Sequence, residues 1–240
     1  LSTYDTGEAI RFYKKTFGWD FFNSMDNTVD EYFVAYKQKS YLAGLYLLPE
    51  VFQQRNFPSF WMPYIQVGNI HKSLEIAKSF DDVKVEVEPM TFEDGSIISL
   101  IRDPLGAGFT IYQGDVINSN NKTEHGNPVW NTLHISELSK VKSFYETLFD
   151  WQIKPSDADS ESVISLSNGH VIGAVAEMPD SLRGGYEYWM QSFAVDDIEL
   201  SIDLIIKSGG AISSRFKDGT VMVRDSQDAS FIITEKPVLI

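Results

Sequence analysis

Along Val141–Trp151, apolar residues recur as Val141, Phe144, Tyr145, Leu148 and Phe149, at i, i+3, i+4, i+7 and i+8. That spacing predicts one apolar face of a helix, with Lys142, Ser143 and Glu146 on its wet side. The same pattern is written earlier at Ile10–Trp19: Phe12, Tyr13, Phe17 and Trp19 precede Phe144, Tyr145, Phe149 and Trp151 by a constant 132 residues. A short helix this aromatic on one face needs a sheet to lie on.

Further elements follow in order. Leu1–Tyr4 reads as the tail of a strand, and Thr6 as the cap of the first helix. After a polar loop at Asn23–Asp30, strands are predicted near Tyr32–Lys37 and Tyr41–Leu48, then a loop at Pro49–Pro58. Phe60–Val67 reads as a strand, and Ile70, Leu74 and Ala77 as a helix stripe. Val83, Val85 and Val87 alternate with charged residues, as in a half-buried strand. Ile97–Arg102 and Phe109–Gln113 flank an Asp103-Pro-Leu-Gly-Ala turn.

Polar, aperiodic Gly114–Asn127 reads as a linker. Beyond it come a strand at Val129–Ile135, Ser139 as a helix cap, and Ser162–Leu166 and His170–Met178 joined by the hairpin signal Asn168-Gly169. Trp61, Met62 and Val67 recur as Trp189, Met190 and Val195 at a shift of 128, and Arg102-Asp103 recurs as Arg224-Asp225 at 122. The expectation is an α+β protein of four strand–helix–three-strand (βαβββ) modules. These pair as two domains, 1–113 and 128–240, about a linker at 114–127.

Composition narrows the function. Of 240 residues, 43% are hydrophobic and 13% aromatic, enough to bury a core. Net charge is −14, which repels phosphate backbones and argues against nucleic acid as a partner. No apolar run reaches membrane-spanning length, and no signal-peptide pattern opens the chain, so no membrane partner is expected. With no cysteine, disulfides, thiolate metal sites and Cys nucleophiles are excluded; a cytoplasmic protein is expected. The chain opens on Leu rather than Met, as one beginning after a tag, a cleavage or disordered residues does. No G-x-S-x-G, H-E-x-x-H or Gly-rich phosphate loop is present.

The FY…FGW helix ends, the W-x-x-Y-x-x-V strand and the D-P-x-G-A turn together resemble the glyoxalase, bleomycin-resistance and extradiol-dioxygenase superfamily (vicinal oxygen chelate), in its two-half glyoxalase-like branch. The resemblance implies two half-barrel domains, each a sheet-lined cup. It also implies metal ligands, His or Glu, on the first and last strands of modules. Those places hold Met62, Trp130 and Met190 on first strands, and Thr110 and Ile232 on last strands. None suits a hard divalent cation. No cofactor is therefore expected, and the first reading is a protein that holds a small organic molecule in a cup, as monomer or homodimer. Its candidate binding residues are Trp61, Tyr64, Trp130 and Trp189, as stacking walls, and Arg102 and Arg224, as anion clamps; core packing and turn bracing are their structural alternatives. Two further readings stay open: a metal-dependent lyase or oxidoreductase of the superfamily, with His134, His170 and Glu177 as an alternative metal set, and a protein-interaction module with filled cups. His71 and His125 are expected to face solvent. Arg183-Gly-Gly lies in a loop suited to a lid.

Overall fold

The computed structural model describes residues 1–24, 32–38, 40–115, 123–156 and 161–235. Four modules share one plan. The first holds β1 (Ser2–Thr3), α1 (Thr6–Phe17), β2 (Asp20–Asn23), β3 (Tyr32–Lys37) and β4 (Ser40–Leu47), and is followed by α2 (Glu50–Gln53). The second holds β5 (Tyr64–Gln66), α3 (Ile70–Lys78), β6 (Lys84–Thr91), β7 (Ile97–Arg102) and β8 (Gly108–Gln113). The third holds β9 (Pro128–Ile135), α4 (Lys142–Phe149), β10 (Gln152–Pro155), β11 (Ser162–Ser165) and β12 (Val171–Glu177), and is followed by α5 (Asp180–Arg183). The fourth holds β13 (Tyr188–Ala194), α6 (Ile198–Lys207), β14 (Ala211–Arg215), β15 (Val221–Arg224) and β16 (Ser230–Thr234).

Strand order repeats with the elements: β1-β4-β3-β2, β5-β8-β7-β6, β9-β12-β11-β10 and β13-β16-β15-β14. In every module the first strand lies parallel to the last. A parallel pair needs a long crossover, which the helix and the returning meander supply. The expected α+β architecture of four βαβββ modules is the one observed.

The compact units are not the sequential halves. One gathers Leu1–Trp61, Ile117–Trp130 and Gln191–Leu239, so it joins the first module to the fourth; the other gathers Met62–Val116 and Asn131–Met190, the second module and the third. In the first unit α1 packs on α6, and Phe12, Tyr13 and Phe17 meet Trp19, Phe193 and Phe231. In the second unit α3 packs on α4, and Phe144, Tyr145 and Phe149 meet Phe109, Trp151 and Trp189. The domain boundaries expected at 113 and 128 follow the sequence repeat, whereas α1 packs on α6 and α4 on α3, each a helix of the other half.

Local chemistry refines several elements. Asp5, not Thr6, caps α1: its carboxylate accepts the Glu8 N–H at 2.8 Å. Ser139 caps no helix. Its hydroxyl donates to Glu137 within a 3₁₀ turn, Leu138–Lys140, whose Leu138 N–H is taken by Glu177 at 2.8 Å. The first strand of the second module shrinks to Tyr64–Gln66 because Pro63 has no N–H; Gln191 stands at the matching place in the seven-residue β13. Pro49–Pro58 and Pro179–Gly185 each contain a helical turn, α2 and α5, opened by proline. The predicted Asn168-Gly169 turn joins β11 to β12, with Gly169 at φ 82°.

Of the predicted Asn23–Asp30 loop, residues 25–30 lie outside the described residues, as do 116–122 of the predicted linker. The linker's end is docked. The Gly126 carbonyl accepts the Trp19 indole N–H at 3.0 Å, and Lys37 Nζ donates to the Phe17 and His125 carbonyls. His125 is therefore not solvent-facing: it is half-buried, with Nε2 2.9 Å from the Thr16 carbonyl and Nδ1 3.3 Å from the Asp196 N–H.

Candidate functional site

Strand alternation sorts the candidate residues onto two faces of each sheet. On β9, Leu133 and Ile135 point into the helix-side core with Tyr145. Trp130, Thr132 and His134 therefore lie on the face without helices. Ala174 and Ala176 of β12 pair with Thr132 and His134 and share that face, whereas Glu177 pairs with Ile135 and belongs to the other.

That parity breaks up the alternative metal set. Glu177 is occupied at the Leu138 N–H, His170 sits exposed at the hairpin, and His134 is buried on the opposite face. Among the described residues no three His, Asp or Glu side chains gather as a metal site.

His134 does have a partner. It is 7% exposed, and its Nδ1 lies 3.1 Å from the Tyr188 hydroxyl, with the rings 4.9 Å apart. Burial drives its pKa down to about 4, so it is neutral at neutral pH. Burial likewise raises the Tyr188 phenol above its ordinary value. Nε2 of His134 has no hydrogen-bond partner among the described residues. The loop before Tyr188 is braced rather than lid-like. Arg183 is 5% exposed, donates to the Tyr186 carbonyl at 2.7 Å and pairs with Glu187 at 3.1 Å. Glu187 in turn accepts the Ser136 N–H at 3.0 Å and its hydroxyl at 2.8 Å. Tyr188 was not legible as a site residue beforehand; the available signal is that it adjoins Trp189 and so alternates to His134's side.

Of the three tryptophans expected as stacking walls, Trp61 and Trp189 are core residues. Trp61 is 7% exposed among Tyr13, Trp19 and Phe193, and its N–H donates to the Tyr13 hydroxyl at 3.1 Å. Trp189 is 4% exposed against Tyr145 and Trp151, and its N–H donates to the Tyr145 hydroxyl at 3.3 Å. A buried indole needs an acceptor, and each helix supplies a tyrosine at the matching place. Trp130 is half-buried on the helix-free face. Tyr64 is half-buried beside Thr110 in β8.

Each tyrosine hydroxyl in turn donates a hydrogen bond to a buried aspartate. Tyr13 donates to Asp225 at 2.8 Å, and Tyr145 to Asp103 at 2.9 Å. Asp103 also accepts the Leu105 and Ala107 N–H groups, and Asp225 those of Gln227 and Ala229. Burial nevertheless pushes the Asp103 carboxyl up to about 6 and raises that of Asp225.

The arginines brace the same turns. Arg102 holds Glu86 at 2.8 Å and the Gly106 carbonyl at 3.0 Å. Arg224, exposed, holds Asp228 at 2.8 Å.

At the places where the resemblance puts metal ligands in the second module, the Thr110 hydroxyl donates to the Met62 sulfur at 3.5 Å, both side chains being buried. A neutral hydroxyl against a thioether is a poor donor set for Mn²⁺, Fe²⁺ or Ni²⁺. These residues do not fit the superfamily's divalent metal.

No family model matches the chain. Among curated proteins it is 32% identical over 92 residues to "Putative glyoxylase CFP32" of Mycobacterium bovis and of Mycobacterium tuberculosis, over 36% of this chain and only 35% of theirs. Among solved structures it is similar to the Mn(II)-bound glyoxalase of Novosphingobium aromaticivorans, with a TM-score of 0.62, 11% identity, and coverage of 99% of this chain and 81% of that one. It is also similar to the 2,3-dioxygenase LapB of Pseudomonas sp. KL28, with a TM-score of 0.60, 12% identity, and coverage of 97% and 88%. No helix among the described residues is long and apolar enough to cross a membrane. The chain thus shares its fold with a solved glyoxalase and a solved 2,3-dioxygenase.

Proposed function

We propose that this protein binds a small organic molecule on the helix-free face of its sheets and does so without the superfamily's usual divalent metal. The Met62–Thr110 contact carries the reading, because it fills a chelating corner with side chains that hold each other. Trp130, Met190 and Ile232 at the other corresponding places agree with it: none offers an oxygen or imidazole ligand. Half-buried Trp130 and Tyr64 remain as aromatic surface for such a ligand. The small-molecule partner, the cytoplasmic setting and a monomer or homodimer state are parts of the same proposal.

Metal analysis of protein purified without chelator tests it. The expected result is less than a tenth of an equivalent of Mn, Fe, Ni or Zn per chain. One equivalent overturns the metal-free reading and favours the alternative of a metal-dependent lyase or oxidoreductase. Tryptophan fluorescence titrated with aromatic carbonyl compounds separates binding from a pure protein-interaction role: saturable quenching, lost in Trp130→Phe, is the expected outcome.

A further inference from the structure

The imidazole of His134 is buried more completely than any other polar ring on the helix-free face of β9, yet one of its nitrogens is unused. Its Nδ1 is taken by Tyr188, whose hydroxyl has no other hydrogen-bond partner among the described residues. A phenol is a better donor than acceptor, and the bare nitrogen of a neutral imidazole is a strong acceptor. The favoured arrangement is therefore Tyr188 O–H donating to Nδ1, which puts the ring proton on Nε2. That N–H is not among the fully enclosed unpartnered atoms, so it reaches the surface of the helix-free face and is open to an outside acceptor.

The surroundings select that acceptor. Arg183, the cation whose charge bears on Tyr188, is itself engaged by Asp180, Glu187 and the Tyr186 carbonyl, which disfavours an anionic ligand. The net charge of −14 opposes anions further. The residue paired with His134 on β12 is Ala176, and its neighbour on that face is Ala174, so small side chains flank the ring. The Arg183–Glu187–Ser136 brace holds the residue before Tyr188, and Tyr188 holds His134.

We propose that His134, oriented by Tyr188, is the hydrogen-bond donor through which this protein recognises an uncharged carbonyl group on a flat organic molecule. This rests on the small-molecule reading above and assigns it a residue and a ligand chemistry. His134 is the binding residue; Tyr188 is a positioning residue acting through it.

The test is nitrogen-15 NMR of the histidine rings in the full chain, titrated with benzamide, with Trp130 fluorescence read in parallel. In the free protein the ring proton of His134 is on Nε2, and benzamide shifts that nitrogen saturably. Tyr188→Phe frees Nδ1, mixes the tautomers and weakens benzamide binding about five- to tenfold, the worth of one neutral hydrogen bond. Finding the proton on Nδ1 in the wild type overturns the proposal and needs no variant to fold. Quenching of Trp130 that saturates while His134 stays unmoved also overturns it, and leaves small-molecule binding standing. No response from either signal overturns this proposal and counts against the small-molecule reading as well.

Discussion

The Tyr13 hydroxyl donates a hydrogen bond to Asp225 across 212 residues of sequence, at 2.8 Å in a buried setting. Tyr145 does the same for Asp103 at 2.9 Å. In each case the helix comes from one half of the chain and the aspartate's turn from the other. The two contacts thus join the first module to the fourth and the third to the second, and each tyrosine also receives a tryptophan N–H.

Removing these hydroxyls leaves a buried carboxyl and a buried indole N–H each short of a partner. Tyr13→Phe and Tyr145→Phe are each expected to lower unfolding free energy by about 1–3 kcal/mol. The contacts share no residue and lie in different compact units, so the double variant is expected to be additive within about 0.5 kcal/mol. Urea unfolding followed by tryptophan fluorescence measures all three.

Asp103 makes stability depend on pH in a specific direction. Its carboxyl titrates near 6 folded against 3.8 unfolded, so the folded state favours the protonated form. Its favourable contribution is fully present below about 3.8 and is lost as pH rises through about 6. Wild-type stability relative to Asp103→Asn should therefore improve steadily from pH 7 to pH 4. A flat difference over that window would count against the buried, ionisable state of this group.

His134 acts in the opposite sense. With a folded pKa near 4 against 6.5 unfolded, its neutral form is favoured by folding. Its contribution is present above about 6.5 and is lost as pH falls through about 4. Proton NMR should place its titration midpoint near 4, and His134→Phe should remove this part of the acid sensitivity.

The two turn arginines should differ sharply despite their matching places. Arg102 is partly buried and holds both Glu86 and a backbone carbonyl, so Arg102→Met is expected to cost about 1–2 kcal/mol. Arg224 holds only exposed Asp228, and Arg224→Met should cost less than about 0.5 kcal/mol. Parallel thermal melts at pH 7 make the comparison.

Gly173 is expected to tolerate no side chain. A Cβ there would stand 2.7 Å from the Asn131 carbonyl oxygen, and a backbone atom within a paired strand cannot swing aside. Gly173→Ala should destabilise by about 1–3 kcal/mol and disturb the β9–β12 face that carries His134. Denaturation together with the His134 NMR signal shows both effects.

Local pattern alone determined the repeat of Phe12-Tyr13 as Phe144-Tyr145, the four-module order, the Asn168-Gly169 turn and the face on which His134 lies. Each depends on spacing along the chain, within an element or between its repeats, and spacing is written in the sequence. Tertiary structure decided the partners: that Tyr13 meets Asp225 rather than Asp103, that Trp61 and Trp189 fill cores rather than line walls, and that His134 finds Tyr188 fifty-four residues on. The repeat itself hides the first of these choices, because both halves carry the same tyrosine and the same aspartate turn. Only packing each aromatic helix face against a sheet, with the Tyr13 and Tyr145 hydroxyls, the Asp225 and Asp103 carboxyls and the Trp61 and Trp189 indoles satisfied, distinguishes one pairing from the other.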